Sequence, residues 1–130
     1  MPAFATMTLP GGHDVLAPDG SQVRLLLALA GGGMAHFTLP PGQVSRAVRH
    51  RTVEEIWYVL TGAGAMWRSC DDFGTVTALV PGVCLTIPVG TAFQFRAGPD
   101  APLVAVAITM PPWPGADEAV FVEGAWPASS

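Results

Sequence analysis

The sequence predicts an all-β domain, a sandwich or barrel of about ten strands. Three observations carry this. Short apolar runs recur at regular spacing, each closed by a turn signal. Glycine (15) and proline (13) are spread along the whole chain, as many short strands joined by tight turns require. No window before the C-terminal tail holds the 3.6-residue apolar period of an amphipathic helix for three turns. At 130 residues the chain has the length of one domain. It is read as a single unit, residues 1–130, with residues 1–13 as an N-terminal arm.

The elements follow one another with little variation. Residues 14–17 form a short strand, turned by Pro18-Asp19-Gly20-Ser21 into a longer one over 22–30. The Gly31-Gly32-Gly33 turn leads to a strand over 34–39, and Pro40-Pro41-Gly42 leads to one over 44–49. Residues 53–60 and 65–69 pair across the Thr61-Gly62-Ala63-Gly64 turn. Strands over 75–79, 83–87, 92–97 and 103–109 complete the set, separated by Pro81-Gly82, Pro88-Val89-Gly90 and the stretch 98–102. From residue 110 the chain reads MPPWPGADEAVFVEGAWP, an irregular C-terminal tail over 110–130 that packs Trp113, Phe121 and Trp126 back on the barrel. No second domain, repeat array or low-complexity linker is present in the sequence.

Composition excludes several classes. Half of the residues are apolar and 12% are charged, which removes the disordered class, where low hydrophobicity accompanies high net charge. The formal net charge is −4, and Arg24, Arg46, Arg49, Arg51, Arg68 and Arg96 are the only fixed side-chain cations. Nucleic-acid binding needs a basic face that releases counterions, so no nucleic-acid partner is expected. The start, MPAFATMTLPGGHD, has neither the basic n-region nor the sustained apolar core of a signal peptide. The longest apolar run, residues 25–30, falls short of the ~20 residues that span a bilayer. A cytoplasmic location without a membrane partner is the expectation. Cys70 and Cys84 lack zinc-type spacing and are read as reduced thiols.

The strand after His50 is the informative one. Alternation puts Val53, Glu55, Trp57 and Val59 on one face, and Glu54, Ile56, Tyr58 and Leu60 on the other. Both faces are largely apolar, so both need cover. A filled barrel interior covers one. The other calls for a second sheet, the tail or a partner subunit, which points to a homodimer.

These residues also carry a family resemblance. Residues 42–62, GQVSRAVRHRTVEEIWYVLTG, resemble the first motif of the cupin superfamily, in which a glycine precedes His-x-His, then a Glu and a Gly. His50, four intervening residues, Glu55, six more and Gly62 fit that pattern, while its first His falls on Val48. Residues 82–97, GVCLTIPVGTAFQFRA, resemble the second motif at Gly82, Pro88 and Gly90. There the His position is Phe93 and the Asn position is Ala97. The resemblance implies a double-stranded β-helix, a jelly-roll barrel of small size. It also implies a divalent metal held by imidazoles and one carboxylate, a donor set that suits iron, nickel, manganese or zinc. Of those ligands this chain keeps His50 and Glu55, and two protein donors rarely hold a divalent ion. His36 is a candidate replacement ligand, although alternation places it with Met34 and Thr38, opposite Ala35, Phe37 and Leu39. Gln94 points away from the second-motif His position by the same rule, and His13 is assigned no role.

Without a metal, His50 and Glu55 form a candidate carboxylate–imidazole pair, able to act as acid or base towards a small substrate. Val48, Trp57, Phe93 and Phe95 line the same interior, and Arg46, with the parity of Val48 and His50, is placed at its mouth. Three functions remain open. One is a metal-free or metal-poor small-molecule-binding barrel with acid–base chemistry at His50 and Glu55. Another is a metal-dependent oxygenase, isomerase or cyclase using His50, Glu55 and a third ligand such as His36. The last is a non-catalytic sensor or structural barrel. The sequence leaves enzyme and binding protein as alternatives.

Overall fold

Strict alternation makes the strands. In the stretch Glu54–Thr61 every second side chain, Glu55, Trp57 and Val59, is buried, while those between face outward. The computed structural model describes residues 3–11, 15–16 and 20–129. His13, the ends of the expected strand over 14–17 and the first half of the turn after it lie outside the described residues.

Eleven strands are found among the described residues: β1 (Val15–Leu16), β2 (Gln22–Leu29), β3 (Gly32–Leu39), β4 (Val48–His50), β5 (Glu54–Thr61), β6 (Gly64–Cys70), β7 (Phe73–Leu79), β8 (Cys84–Ile87), β9 (Ala92–Ala97), β10 (Leu103–Met110) and β11 (Ala119–Phe121). A single 3-10 turn, Ala116–Glu118, precedes β11. Among the described residues no helix is long and apolar enough to cross a membrane.

The strands form two antiparallel sheets, one of six in the order β1-β2-β3-β10-β5-β8 and one of five in the order β11-β4-β9-β6-β7. Sequence-distant neighbours such as β3 with β10 and β4 with β9 give the double-sheet jelly roll, which closes a barrel around one core. Leu39, Trp57, Val59, Leu85 and Ile87 from the six-stranded sheet meet Val48, Met66, Leu79, Phe93 and Phe95 from the other. Register explains how the large rings fit. Ala107 pairs with both Ala35 and Trp57, so one indole fills a row that two alanines leave open. Phe37 then stacks on Trp57 at 4.9 Å, and Phe95 meets it edge-on at 5.0 Å. The expected hairpin of residues 53–60 with 65–69 does not form, because β5 pairs with β10 and β8 while β6 pairs with β7 and β9 in the other sheet. Gly62 carries the chain from one sheet to the other at φ 86°, and a Cβ there would lie 2.1 Å from the Pro102 carbonyl oxygen. Glycine is therefore required on two counts.

One expected strand is shorter than its sequence pattern. Of residues 44–49 only the end is ladder, as β4, with Val44 bridging Arg96 alone. Between them the ladder is interrupted: the Ser45 N–H still donates to the Phe95 carbonyl and the Ala97 N–H to the Gln43 carbonyl, and side chains supply further bonds. The Phe95 amide donates to the Ser45 hydroxyl, and the Ser45 carbonyl accepts from the Gln94 side-chain amide. Alternation is broken there, so Ala47 and Val48 are both buried in succession.

Gln94 also straps the tail to the outer face of the five-stranded sheet. Its amide donates to the Trp126 carbonyl and its oxygen accepts the Trp126 N–H, at 2.8 and 3.0 Å. Arg96 lies over the Trp126 ring and Arg46 over that of Phe121, at 4.2 and 3.7 Å. Gly124 permits the close approach: a Cβ there would stand 2.4 Å from the Gln94 oxygen and 2.6 Å from the Ala47 Cβ. Gly124→Ala is accordingly expected to lift the tail and lower unfolding stability by about 1–3 kcal/mol, measured by urea denaturation. An unchanged midpoint would mean that the tail contributes no stability.

Candidate functional site

His50 and Glu55 come together inside the barrel. The two lie on β4 and β5, strands of different sheets, and each faces the space between them. His50 Nδ1 stands 3.9 Å from Glu55 Oε2, with 6% and 2% of the side chains exposed. That separation is too long for a direct hydrogen bond. Glu55 is fixed from its other oxygen, which accepts the Trp57 indole N–H at 2.7 Å. His50 Nδ1 is buried and has no hydrogen-bond partner.

Aromatic rings wall the imidazole. Phe93 meets it edge-on at 5.1 Å from β9, and Trp113 from the tail at 5.0 Å. Burial in this apolar surround pushes the His50 pKa down to about 4, against a weaker upward pull from the Glu118 carboxylate. The imidazole is therefore neutral at pH 7. Burial raises the Glu118 pKa, but the Thr52 hydroxyl and the Thr52 and Val53 amides outweigh it and hold the carboxyl below its ordinary value. Those three donors reach it at 2.6, 2.5 and 2.9 Å. Glu118 thus clamps the tail to the residues that follow His50, while Trp113 hangs in a segment flanked by Pro111, Pro112 and Pro114, none of which has an N–H to anchor it.

Val48, Trp57, Phe93 and Phe95 all line the interior, each at most 2% exposed. Two other candidates stand elsewhere. His36 stands in register with Arg24 and Val106 on the outer side of the six-stranded sheet, where it is nevertheless buried, with its Nδ1 also lacking a hydrogen-bond partner. Burial and the neighbouring Arg24 guanidinium lower its pKa. Arg46 is exposed and borders an outer cleft of about 180 Å³ with Gln94, Phe121 and Trp126, since Ala47 and Val48 are buried in succession and put it out of phase with Val48 and His50. Gln94 points away from the interior as expected, yet the tail buries it. Sequence reasoning placed Trp113 on the barrel but not on His50, and it missed Glu118. No local signal marks either, since both reach the site through the path of the tail.

The residues present do not fit a metal ion. Val48 and Phe93, paired directly in register, fill with hydrocarbon the places where two imidazoles would be needed. The Trp57 N–H occupies one oxygen of the carboxylate. Among the described residues no three His, Cys, Asp or Glu side chains gather as a metal-binding group. What the arrangement offers is a neutral imidazole whose Nδ1 lies 3.9 Å from an oxygen of Glu55, with the rings of Phe93 and Trp113 against the imidazole.

Comparison with known proteins agrees with this architecture. The family described as the cupin domain matches residues 35–109. A comparison with curated proteins finds no match. Among solved structures, CapF, the capsular polysaccharide assembling protein of Staphylococcus aureus, is similar with TM-score 0.72 and 18% identity over 83% of this chain and 33% of its own. This chain therefore spans about a third of the CapF chain. A recombinant oxalate oxidase in complex with glycolate gives TM-score 0.73 and 19% identity, over 90% of this chain and 62% of the other. KdgF from Halomonas sp. gives 0.62 and 19%, over 75% and 85%. At such identities the likeness is one of fold.

Proposed function

This chain belongs to the cupin domain family, and from that premise we propose that it is a small-molecule-binding barrel in which His50 and Glu55 hold a ligand hydroxyl. The observation that carries the reading is the buried His50 Nδ1, without a hydrogen-bond partner and 3.9 Å from Glu55 Oε2. A native fold seldom leaves such an atom unsatisfied without a role for it. A hydroxyl oxygen about 2.8 Å from each atom spans that gap. It accepts from the imidazole N–H and donates to the carboxylate. The edge-on rings of Phe93 and Trp113 favour a flat, apolar body for the rest of the ligand. Trp113 yields its place on binding, because its proline-flanked segment has little backbone bonding to lose.

Binding is favoured over turnover by the same electrostatics. An imidazole whose pKa lies near 4 is a weak base at neutral pH, far from the match to working pH that proton transfer rewards. A neutral imidazole remains a good hydrogen-bond partner.

The test follows the His50 ring by NMR in histidine-labelled protein while phenol and catechol are titrated in. Saturable shifts of the His50 signals, lost in Glu55→Gln and reached at lower ligand concentration in Trp113→Ala, are the expected result. No shift with either probe, in wild type or Trp113→Ala, would overturn the proposal for hydroxyaromatic ligands. Elemental analysis on the same samples separates the metal-dependent reading. Near-stoichiometric metal that His50→Ala and Glu55→Ala both lose would replace hydroxyl binding by metal coordination.

A further inference from the structure

Arg68 has the inward parity of β6. It pairs in register with Phe93 on β9, which pairs in turn with Val48, so the three side chains share the inner face of the five-stranded sheet. Met66, two residues earlier, is wholly buried on that face. The guanidinium bridges the edge strands of the two sheets, β7 and β8. One Nη donates to the Thr86 carbonyl at 2.9 Å and the other to the Thr77 hydroxyl at 3.0 Å. Both acceptors are neutral, and among the described residues no salt bridge joins Arg68 to a carboxylate. Its Nε is buried and has no hydrogen-bond partner. Clasping the two edges takes only the Nη groups, so the Nε–H is left for another acceptor.

Two contacts tie this cation to the His50–Glu55 pair. Thr86, whose carbonyl it holds, precedes Ile87, the register partner of Glu55. Phe93, its own register partner, meets the His50 ring edge-on at 5.1 Å. We propose that Arg68 binds an anionic group at the far end of the ligand, which makes the ligand an aromatic hydroxy acid; this rests on the hydroxyl site between His50 and Glu55 proposed above. A guanidinium binds a carboxylate in preference to a neutral acceptor, the more so where water is partly excluded. Strands β4 and β6 flank β9 and so stand about 10 Å apart, with Phe93 between them. That span suits a ring with hydroxyl and carboxylate at opposite positions, not at neighbouring ones.

Isothermal titration of the full chain at pH 7 with phenol, 4-hydroxybenzoate and 4-hydroxybenzamide tests this. The amide keeps the ring, the hydroxyl and the shape of the acid but has no charge. Wild type is expected to bind the acid at least about tenfold more tightly than the amide. In Arg68→Gln the ratio is expected to fall to about one, and a ratio within one variant is insensitive to a general loss of affinity. In arginine-labelled wild type the Arg68 Nε–H signal should move with the acid and stay with the amide, which a clasp between strands would not produce. Phenol binding without preference for the acid over the amide would overturn the inference and leave the hydroxyl site standing. So would a preference that survives in Arg68→Gln. Should that variant fail to fold, an Nε–H signal unmoved by bound 4-hydroxybenzoate overturns it alone. If none of the three compounds binds, the hydroxyl site falls, and the anion site with it.

Discussion

Trp57→Ala is expected to destabilise the protein by about 4 kcal/mol, a large part of the 5–15 kcal/mol that holds a typical domain together. The indole is 2% exposed and belongs to three interactions at once. It stacks on Phe37, takes the edge of Phe95 and donates its N–H to Glu55. Truncation opens a cavity bordered by Ala35 and Ala107, whose side chains are too short to refill it. It also removes a hydrogen-bond donor from a buried carboxylate. Trp57→Phe separates these effects. The phenyl ring keeps most of the packing, so its cost of about 2 kcal/mol reports mainly on the lost charge-assisted hydrogen bond. Urea unfolding of both variants beside wild type measures the difference. A loss below about 1 kcal/mol for Trp57→Ala would show that the ring does not hold the two sheets together.

How far the sequence foretells the fold depends on how local the determinants are. Alternation along residues 54–61 and 103–110 is a property of neighbours, and the structure follows it almost residue for residue. The second-motif positions Gly82, Pro88 and Gly90 fall at turns for the same reason, Gly82 and Gly90 taking φ of 93° and 83°. The stretch 44–49 fails because its partners are distant. Alternation predicts a continuous ladder, but the backbone bonds there are interrupted, and the Ser45 carbonyl is taken by the side chain of Gln94, 49 residues away. The three-residue strand β11 was likewise hidden. It exists only because the tail returns to pair with β4.

The site divides along the same line. His50 and Glu55 are legible because a spaced motif on two consecutive strands fixes where both point, and the inward Trp57, Phe93 and Phe95 follow from parity. Arg46 shares that parity on paper, but the break at residues 45–47 carries it to the outer cleft. His36 could not be excluded from the site by composition, since imidazole is the expected ligand type. Only the register that sets it beside Arg24 removes it. Trp113 and Glu118 act through the trajectory of a proline-rich tail, for which no periodicity exists to be read.

Acid should weaken this protein earlier than its carboxylates alone would require. His50 has an ordinary pKa near 6.5 when unfolded and about 4 in the native state. Between those values the unfolded chain binds a proton that the folded chain refuses. Stability is therefore complete above about pH 6.5 and declines as the pH falls, by about 3 kcal/mol on reaching pH 4. The lowered pKa of His36 acts in the same direction. Glu118 enters lower down. Its depressed pKa stabilises the fold above the ordinary carboxylate value near 4.5, and that stability is lost as the pH falls through the folded pKa. Urea midpoints measured from pH 7.5 to 4.5 read the two histidines alone, because the Glu118 contribution is lost only below that range. His50→Leu should remove most of the decline, because a buried aliphatic side chain has no proton to take up, whereas His36→Gln should remove only part. A wild-type midpoint flat down to pH 4.5 would mean that the imidazole stays accessible to protons, and with it that Trp113 does not close the site.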